Sequence, residues 1–240
     1  MKSQILVFSL LLFQAAVSIS CQTAGPVSNA SALPSIGPEQ KTQCLTKEEF
    51  DRHLKSMSQS ISAEATSARQ ELLNTAAASA QCKAEIVSIL MKAMDKPNLD
   101  FREDIESYYL WRNGAEILGE LQASEALQLL ISHLNLKGWD FSMTMKHQPA
   151  IGGVIKIGAP ALPQLDEALR RNPDRSMRLS AVFCIATIGG PSAMRSLNEA
   201  FSTEPDECIR RFIKASLDNF DEAGQIKNRA DWSSSFACPE

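Results

Sequence analysis

Apolar residues recur at every third or fourth position along most of the chain, the spacing of one face of an α-helix. The clearest helix is predicted between Asp174 and Gly189. Its apolar face consists of Met177, Ala181, Cys184, Ile185 and Ile188. The sequence Gly189-Gly190-Pro191 is a typical helix stop, because glycine accepts a left-handed cap and proline cannot continue the preceding helix. No alternation long enough for a β-strand competes, so the pattern predicts an all-α fold.

The second half of the chain repeats itself at an offset of 32 residues, as from Asp174 to Asp206 or from Leu165 to Leu197. Repeats of this length are typical of stacked supersecondary units. The predicted helical pairs are 109–121 with 124–134, 149–158 with 160–170, and 173–188 with 192–201, followed by one helix over 205–220. Since one pair cannot bury both apolar faces alone, we expect residues 97–220 to stack as an α-solenoid.

Two charged residues four positions apart also recur: Asp174 with Arg178, and Asp206 with Arg210. This spacing predicts ion pairs within each helix, worth about 0.3 to 0.5 kcal/mol apiece where they are exposed. Their recurrence suggests a ladder between successive helices. An anion site built from stacked arginines is the alternative.

Residues 44–96 are predicted to form a helical cap on the first repeat. An amphipathic helix over 46–76, with a break near Ser62, is followed by a helix over 82–94. Alternatively, the apolar face of the helix over 46–76 pairs with a second copy of the chain in a homodimeric coiled coil. Cys44 and Cys82 flank the region, and a disulfide between them would staple its ends if the chain doubles back.

The segment from Asp174 to Pro191, its copy from Asp206, and the sequence Ile-Gly-Ala-Pro-Ala at 157–161 resemble HEAT repeats, in particular the phycobilisome-lyase-like kind of bacteria. The resemblance covers about residues 104–220. It implies a right-handed superhelix whose second helices line a concave face that holds a protein or peptide. The candidate binding residues are the polar residues of these second helices: Gln164, Glu167, Arg171, Arg195 and Glu199.

The insertion over 136–148 is too long for a tight turn between repeats and contains Trp139 and Phe141. One interpretation is that these aromatic side chains cover an incomplete repeat, because exposed aromatics lower solubility. The other is that they anchor a partner, since aromatic side chains dominate the energetics of many interfaces.

The N-terminus predicts export. An apolar run over 5–17, preceded by a lysine and followed by small residues, is typical of a cleaved signal peptide over 1–20 and is too short to span a bilayer. Residues 21–43, rich in proline, glycine and serine, are predicted to be a flexible linker.

The sequence Ser-Ile-Ser-Cys that ends at Cys21 resembles a bacterial lipobox and makes Cys21 a candidate lipidation site. A cleaved and unmodified exported protein is the alternative. We expect a periplasmic, outer-membrane-anchored or secreted protein that meets a membrane only through a lipid on Cys21.

Charge and motifs limit the classes of function that we expect for this chain. The 240 residues carry 24 Lys+Arg and 28 Asp+Glu, a formal net charge of −4, so the chain lacks the basic excess that binds nucleic acid. A phosphate loop, a nucleophile elbow and an H-E-x-x-H zinc motif are all absent from the sequence. The iron-binding HEAT relative deoxyhypusine hydroxylase uses His-Glu motifs, and this sequence contains none. We therefore expect no catalytic residues, no metal and no cofactor.

These observations together predict an exported, non-catalytic scaffold that presents a concave helical surface to a protein or peptide. Two alternatives stay open: an enzyme of unrecognised, lyase-like type on a HEAT scaffold, and a structural envelope lipoprotein without a discrete ligand. After residue 220 the chain turns polar, so 221–240 are predicted to be a C-terminal tail.

Overall fold

The computed structural model describes residues 44–59, 62–96, 99–100, 103–136 and 148–227. Within these ranges the secondary structure is helical and contains no β-strand, which confirms the all-α class. The helices are α1 (Lys47–Gln59), α2 (Ala63–Ala78), α3 (Ala80–Met94), α4 (Ile105–Glu120), α5 (Leu127–Ile131), α6 (Pro149–Ile157), α7 (Leu162–Arg171), α8 (Arg175–Ile188), α9 (Gly190–Thr203) and α10 (Glu207–Asp218). Short 3₁₀ turns precede α5 and α7.

Polar side chains set where several helices begin. Ser62 caps α2 by accepting a hydrogen bond from the amide of Ala65, so the helical region is broken near Ser62 as its sequence predicts. Ser79 caps α3 in the same way, and it is the single residue between α2 and α3. At Gly189 the backbone has a φ of 71°, a conformation that glycine adopts without strain, and α9 begins at the next residue.

The helices after the N-terminal region contact one another in two rows. Helices α4, α6, α8 and α10 are in contact in succession, and α5, α7 and α9 form a second succession. Helix α8 also packs against both α7 and α9, so the two rows share the apolar cluster that runs from Phe50 to Ile226. In the N-terminal region, α1, α2 and α3 all pack against α4.

Helices α4 and α6 approach so closely that backbone touches backbone. A Cβ atom added to Gly153 of α6 would lie 2.5 Å from the carbonyl oxygen of Ala115 in α4. A Cβ atom added to Gly119 of α4 would lie 2.9 Å from the carbonyl oxygen of Gly153. Glycine at both positions therefore permits this contact.

Two of the carboxylates that begin helices also accept hydrogen bonds from side chains of other segments. Asn135 donates a hydrogen bond to the carboxylate of Asp174 at 2.7 Å, and Arg175 donates one to the carboxylate of Asp206 at 2.8 Å. Asp174 and Asp206 are the N-caps of α8 and α10, so each carboxylate both caps its own helix and accepts a hydrogen bond from a side chain earlier in the chain.

Candidate functional site

The five polar residues that the sequence singles out on the second helices are all exposed on α7 and α9. These two helices are in direct contact. The apolar side chains that face inward, Leu165 and Leu169 in α7 and Leu197 in α9, are fully buried. Burial of this stripe fixes the rotation of each helix and leaves the polar residues on the outer side.

A groove of about 230 Å³ lies between α7 and α9. Its walls are formed by Leu162, Pro163, Asp166 and Arg170 of α7 and by Ser192, Arg195, Ser196 and Glu199 of α9. Two of the sequence-predicted residues, Arg195 and Glu199, therefore line the groove. The other three, Gln164, Glu167 and Arg171, do not line it, because they occupy positions farther around the surface of α7.

Arg170 is the central charge of the groove. Its Nε donates to Asp166 in the same helix at 2.9 Å, and its Nη2 donates to Glu199 across the groove at 2.7 Å. The hydrogen bond to Glu199 is the main cause that raises the pKa of Arg170, with a smaller contribution from Asp166 and against the opposing effect of burial. Asp166 also accepts a hydrogen bond from the hydroxyl of Ser196. A single guanidinium is thus paired with two carboxylates.

Arg195 has different surroundings. Glu199 lies four residues further along the same helix, the spacing at which an arginine and a glutamate ordinarily pair. In the described part of the chain, Glu199 pairs with Arg170 across the groove, and the contact of Arg195 is a 3.4 Å hydrogen bond to the hydroxyl of Ser192. The groove is therefore acidic around Arg170 and basic at Arg195.

On the outer surface of α7, Arg171 pairs with Glu167 at 3.4 Å, and both side chains are well exposed. Such a pair contributes little to stability because water screens it.

The sequence analysis did not single out three residues of the groove: Asp166, Arg170 and Ser196. The i, i+4 spacing of Asp166 and Arg170 could have predicted their ion pair within one helix. The bond from Arg170 to Glu199 of α9 has no signature in the sequence.

The ion pairs predicted between Asp174 and Arg178, and between Asp206 and Arg210, are not the contacts that form. Both aspartates accept backbone amides as N-caps instead. Arg178 reaches the carboxylate of Glu204 with Nε and Nη2, both at 3.2 Å. The caps prevail because a carboxylate at an N-terminus meets free amide donors and the positive end of the helix dipole.

The two arginines nonetheless occupy equivalent places. Arg178 donates to the carbonyl oxygens of Asn172 and Pro173, and Arg210 donates to those of Glu204 and Pro205. Each guanidinium thus bonds the carbonyls five and six residues before it, at the turn that leads into its own helix. These contacts occupy donors that the alternative anion site would need.

The largest groove among those described, about 570 Å³, lies away from the predicted binding residues, between α1 and α3. Its apolar wall consists of Leu45, Phe50, Leu54, Ile89 and Ala93, and its rim carries Lys47, Asp51, Glu85 and Lys92. Cys44 and Cys82 form a disulfide near the start of both helices, with their Cα atoms 5.3 Å apart. This is the pairing that the sequence left conditional on the chain doubling back.

The other cysteines of the described residues are not arranged as a reactive site. Cys208 is disulfide-bonded, and Cys184 is a buried free thiol whose pKa is raised by burial. Within the described ranges, no group of three or more His, Cys, Asp and Glu side chains could hold a metal ion. Trp139, Phe141 and Cys21 lie outside the described residues.

Of the helices that the structure describes, none combines the length and apolar character needed to cross a membrane. Comparison with protein-family models found no match for this chain, and comparison with curated proteins found none either.

Proposed function

We propose that this chain is an exported, non-catalytic protein-binding module whose helical hairpins stack in the manner of HEAT repeats. Two features support the stacking. One is the two successions of helix contacts, and the other is the recurrence at Asp174 and Asp206 of the same N-cap, followed by an arginine that bonds the carbonyls before its helix. Hairpins of like local structure that share one apolar core behave as units of a repeat protein. Such proteins use the exposed surface of one row of helices to bind partners.

The observation that carries the proposal is the exposed groove between α7 and α9. It combines a short apolar end, at Leu162 and Pro163, with hydroxyl and charged side chains along the remainder. Protein–protein interfaces commonly combine apolar contacts with surrounding polar groups. A protein or peptide segment is accordingly the class of ligand that we assign to it.

Export is part of the proposal. The disulfide between Cys44 and Cys82, and the disulfide-bonded state of Cys208, support it, because disulfides persist in oxidising compartments. Lipidation of Cys21 would hold the module at an outer membrane, and an unmodified N-terminus would release it to the periplasm or the medium. Mass spectrometry of the mature N-terminus distinguishes the two.

A photo-crosslinking residue tests the binding surface. We expect the full chain with such a residue at Ser192, in the groove wall, to capture one specific partner in its native source. The same residue at Lys55, exposed on the outer side of α1, is the matched control and should capture none. Equal capture at both positions, or at neither, contradicts the proposed surface. Turnover of a small substrate by the purified protein would favour an enzyme instead.

A further inference from the structure

The groove between α7 and α9 contains two arginines and two carboxylates, but the charges are not shared evenly. Both carboxylates, those of Asp166 and Glu199, are bonded to Arg170. Among the residues that the structure describes, the partner of Arg195 is the hydroxyl of Ser192, at the long distance of 3.4 Å. One end of the groove therefore holds an excess of negative charge, and the other end holds a guanidinium that is not neutralised by either carboxylate.

This uneven pairing is held in place by the fold. Arg170 is fixed in its own helix by Asp166, whose second oxygen is engaged by Ser196 of α9. Its remaining side meets one oxygen of Glu199, and within the described contacts this carboxylate pairs with Arg170 and not with Arg195 at its own i−4 position. A guanidinium presents its donors in a planar fork that matches a carboxylate, so an unpaired arginine in a groove is suited to receive one.

We propose that Arg195, with the Ser192 hydroxyl beside it, recognises a carboxylate of an acidic residue in the bound peptide segment. This inference rests on the proposed function of the groove and names the chemistry of its partner. The acidic end of the groove, around Arg170, favours a segment in which the residues next to this acidic residue are neutral or basic. Recognition of this kind weakens as salt is added, because the site is open to solvent.

The test uses an array of eight-residue peptides in which each sequence is present twice, once with Asp and once with Asn at a single position. The full chain, fluorescently labelled, is the probe. We expect binding to the Asp member of responsive pairs to be about fivefold stronger, the size typical of one partly exposed ion pair. Arg195→Gln should remove this preference while the binding of the Asn peptides is retained.

Two further variants sharpen the result. Glu199→Gln removes a carboxylate from the groove and should increase the preference for Asp peptides. Arg211→Gln changes an exposed arginine on α10 by the same charge and should leave the preference as in the unaltered chain. Thermal melting shows whether each variant is folded.

The outcomes separate this inference from the proposed function. Binding of peptides without a preference for Asp overturns the role of Arg195 and leaves the peptide-binding groove standing. A preference that survives in Arg195→Gln also overturns it. Failure of the unaltered chain to bind any peptide removes both proposals together.

Discussion

Arg178 and Arg210 follow equivalent turns, but we expect them to contribute differently to the stability of the folded protein. Both guanidiniums bond the two carbonyl oxygens that precede their helices. Arg178 additionally pairs with Glu204, and the side chains of this pair are only 14% and 4% exposed. Arg210 pairs instead with Glu207, where the two side chains are 36% and 67% exposed. The two arginines thus bond equivalent carbonyls but differ in their own burial and in the burial of the carboxylate that each one pairs with.

We predict that Arg178→Ala lowers the free energy of unfolding by about 3 kcal/mol, because it leaves the carboxylate of Glu204 buried without its cation. The matched variant Arg210→Ala should cost about 1 kcal/mol, since its ion pair is exposed and mainly hydrogen bonds to carbonyls are lost. Urea denaturation followed by circular dichroism measures both values. Equal losses would show that the Glu204 pair adds nothing to the shared carbonyl contacts.

Asp206 gives a prediction about pH. Its pKa lies below the ordinary value of 3.8, chiefly because its carboxylate accepts the amide of Ile209, with a further contribution from Arg175 and against the opposing effect of burial. A pKa lowered by folding means that the charged form stabilises the folded state. This contribution is present above pH 3.8 and is lost as the pH falls through the lower, folded-state pKa.

We therefore predict that Asp206→Asn lowers the free energy of unfolding by about 1 kcal/mol at neutral pH, because asparagine still caps the helix but cannot pair with the cation of Arg175. The difference between the two proteins should shrink as the pH falls below 3.8. Urea unfolding of both proteins at neutral pH and at about pH 3 tests this. A difference that is the same at both pH values would mean that the charge of Asp206 is not what stabilises the start of α10.

At the scale of elements, the contact of α4 with α6 is the tightest described between two helices of different units. It depends on the absence of side chains at Gly119 and Gly153, whose Cβ atoms would overlap backbone of the opposite helix. An ionic contact lies beside it: Lys156 of α6 bonds Glu116 and Glu120 of α4 at 3.0 and 2.9 Å. Burial lowers the pKa of Lys156, but these two hydrogen bonds outweigh it and raise the pKa overall.

Two neighbouring glycines of α6 provide a controlled test of this contact. Gly153→Ala should lower the free energy of unfolding by about 2 to 3 kcal/mol, because the added methyl group forces the helices apart. Gly152→Ala adds the same methyl group where nothing lies within 4 Å and should stabilise the protein by about 0.5 to 1 kcal/mol. Thermal melting distinguishes them, and a neutral Gly153→Ala would mean that α4 and α6 can separate without loss.

The spacing of apolar residues predicts most of these helices but few of the side-chain contacts between them. The three- and four-residue periodicity located α8, and the helix stop at Gly189 ended it at the right place, because backbone conformation there is a local property. The break near Ser62 is local in the same sense. In contrast, the partner of Arg178 or of Arg170 lies in another helix, and the choice among several nearby carboxylates is made by tertiary packing.

At the scale of the whole molecule, the repeat at an offset of 32 residues predicts more of the structure than any single motif does. It predicts that Asp174 and Asp206 occupy equivalent positions, and each of them caps a helix. It did not predict that α4 and α6 meet through glycine, nor that the largest described groove lies between α1 and α3, outside the repeated region. Those features arise where units differ, and a repeat signal records only what units share.

The covalent link between Cys44 and Cys82 encloses α1 and α2 in a closed loop, since the two cysteines are 38 positions apart. A protease that cuts once inside this loop leaves two fragments that remain one molecule. On an electrophoresis gel without reductant, the cleaved protein migrates near its intact size, and it separates into two bands only after a thiol is added. A chain nicked in this region would therefore retain its N-terminal helices for as long as its surroundings stay oxidising.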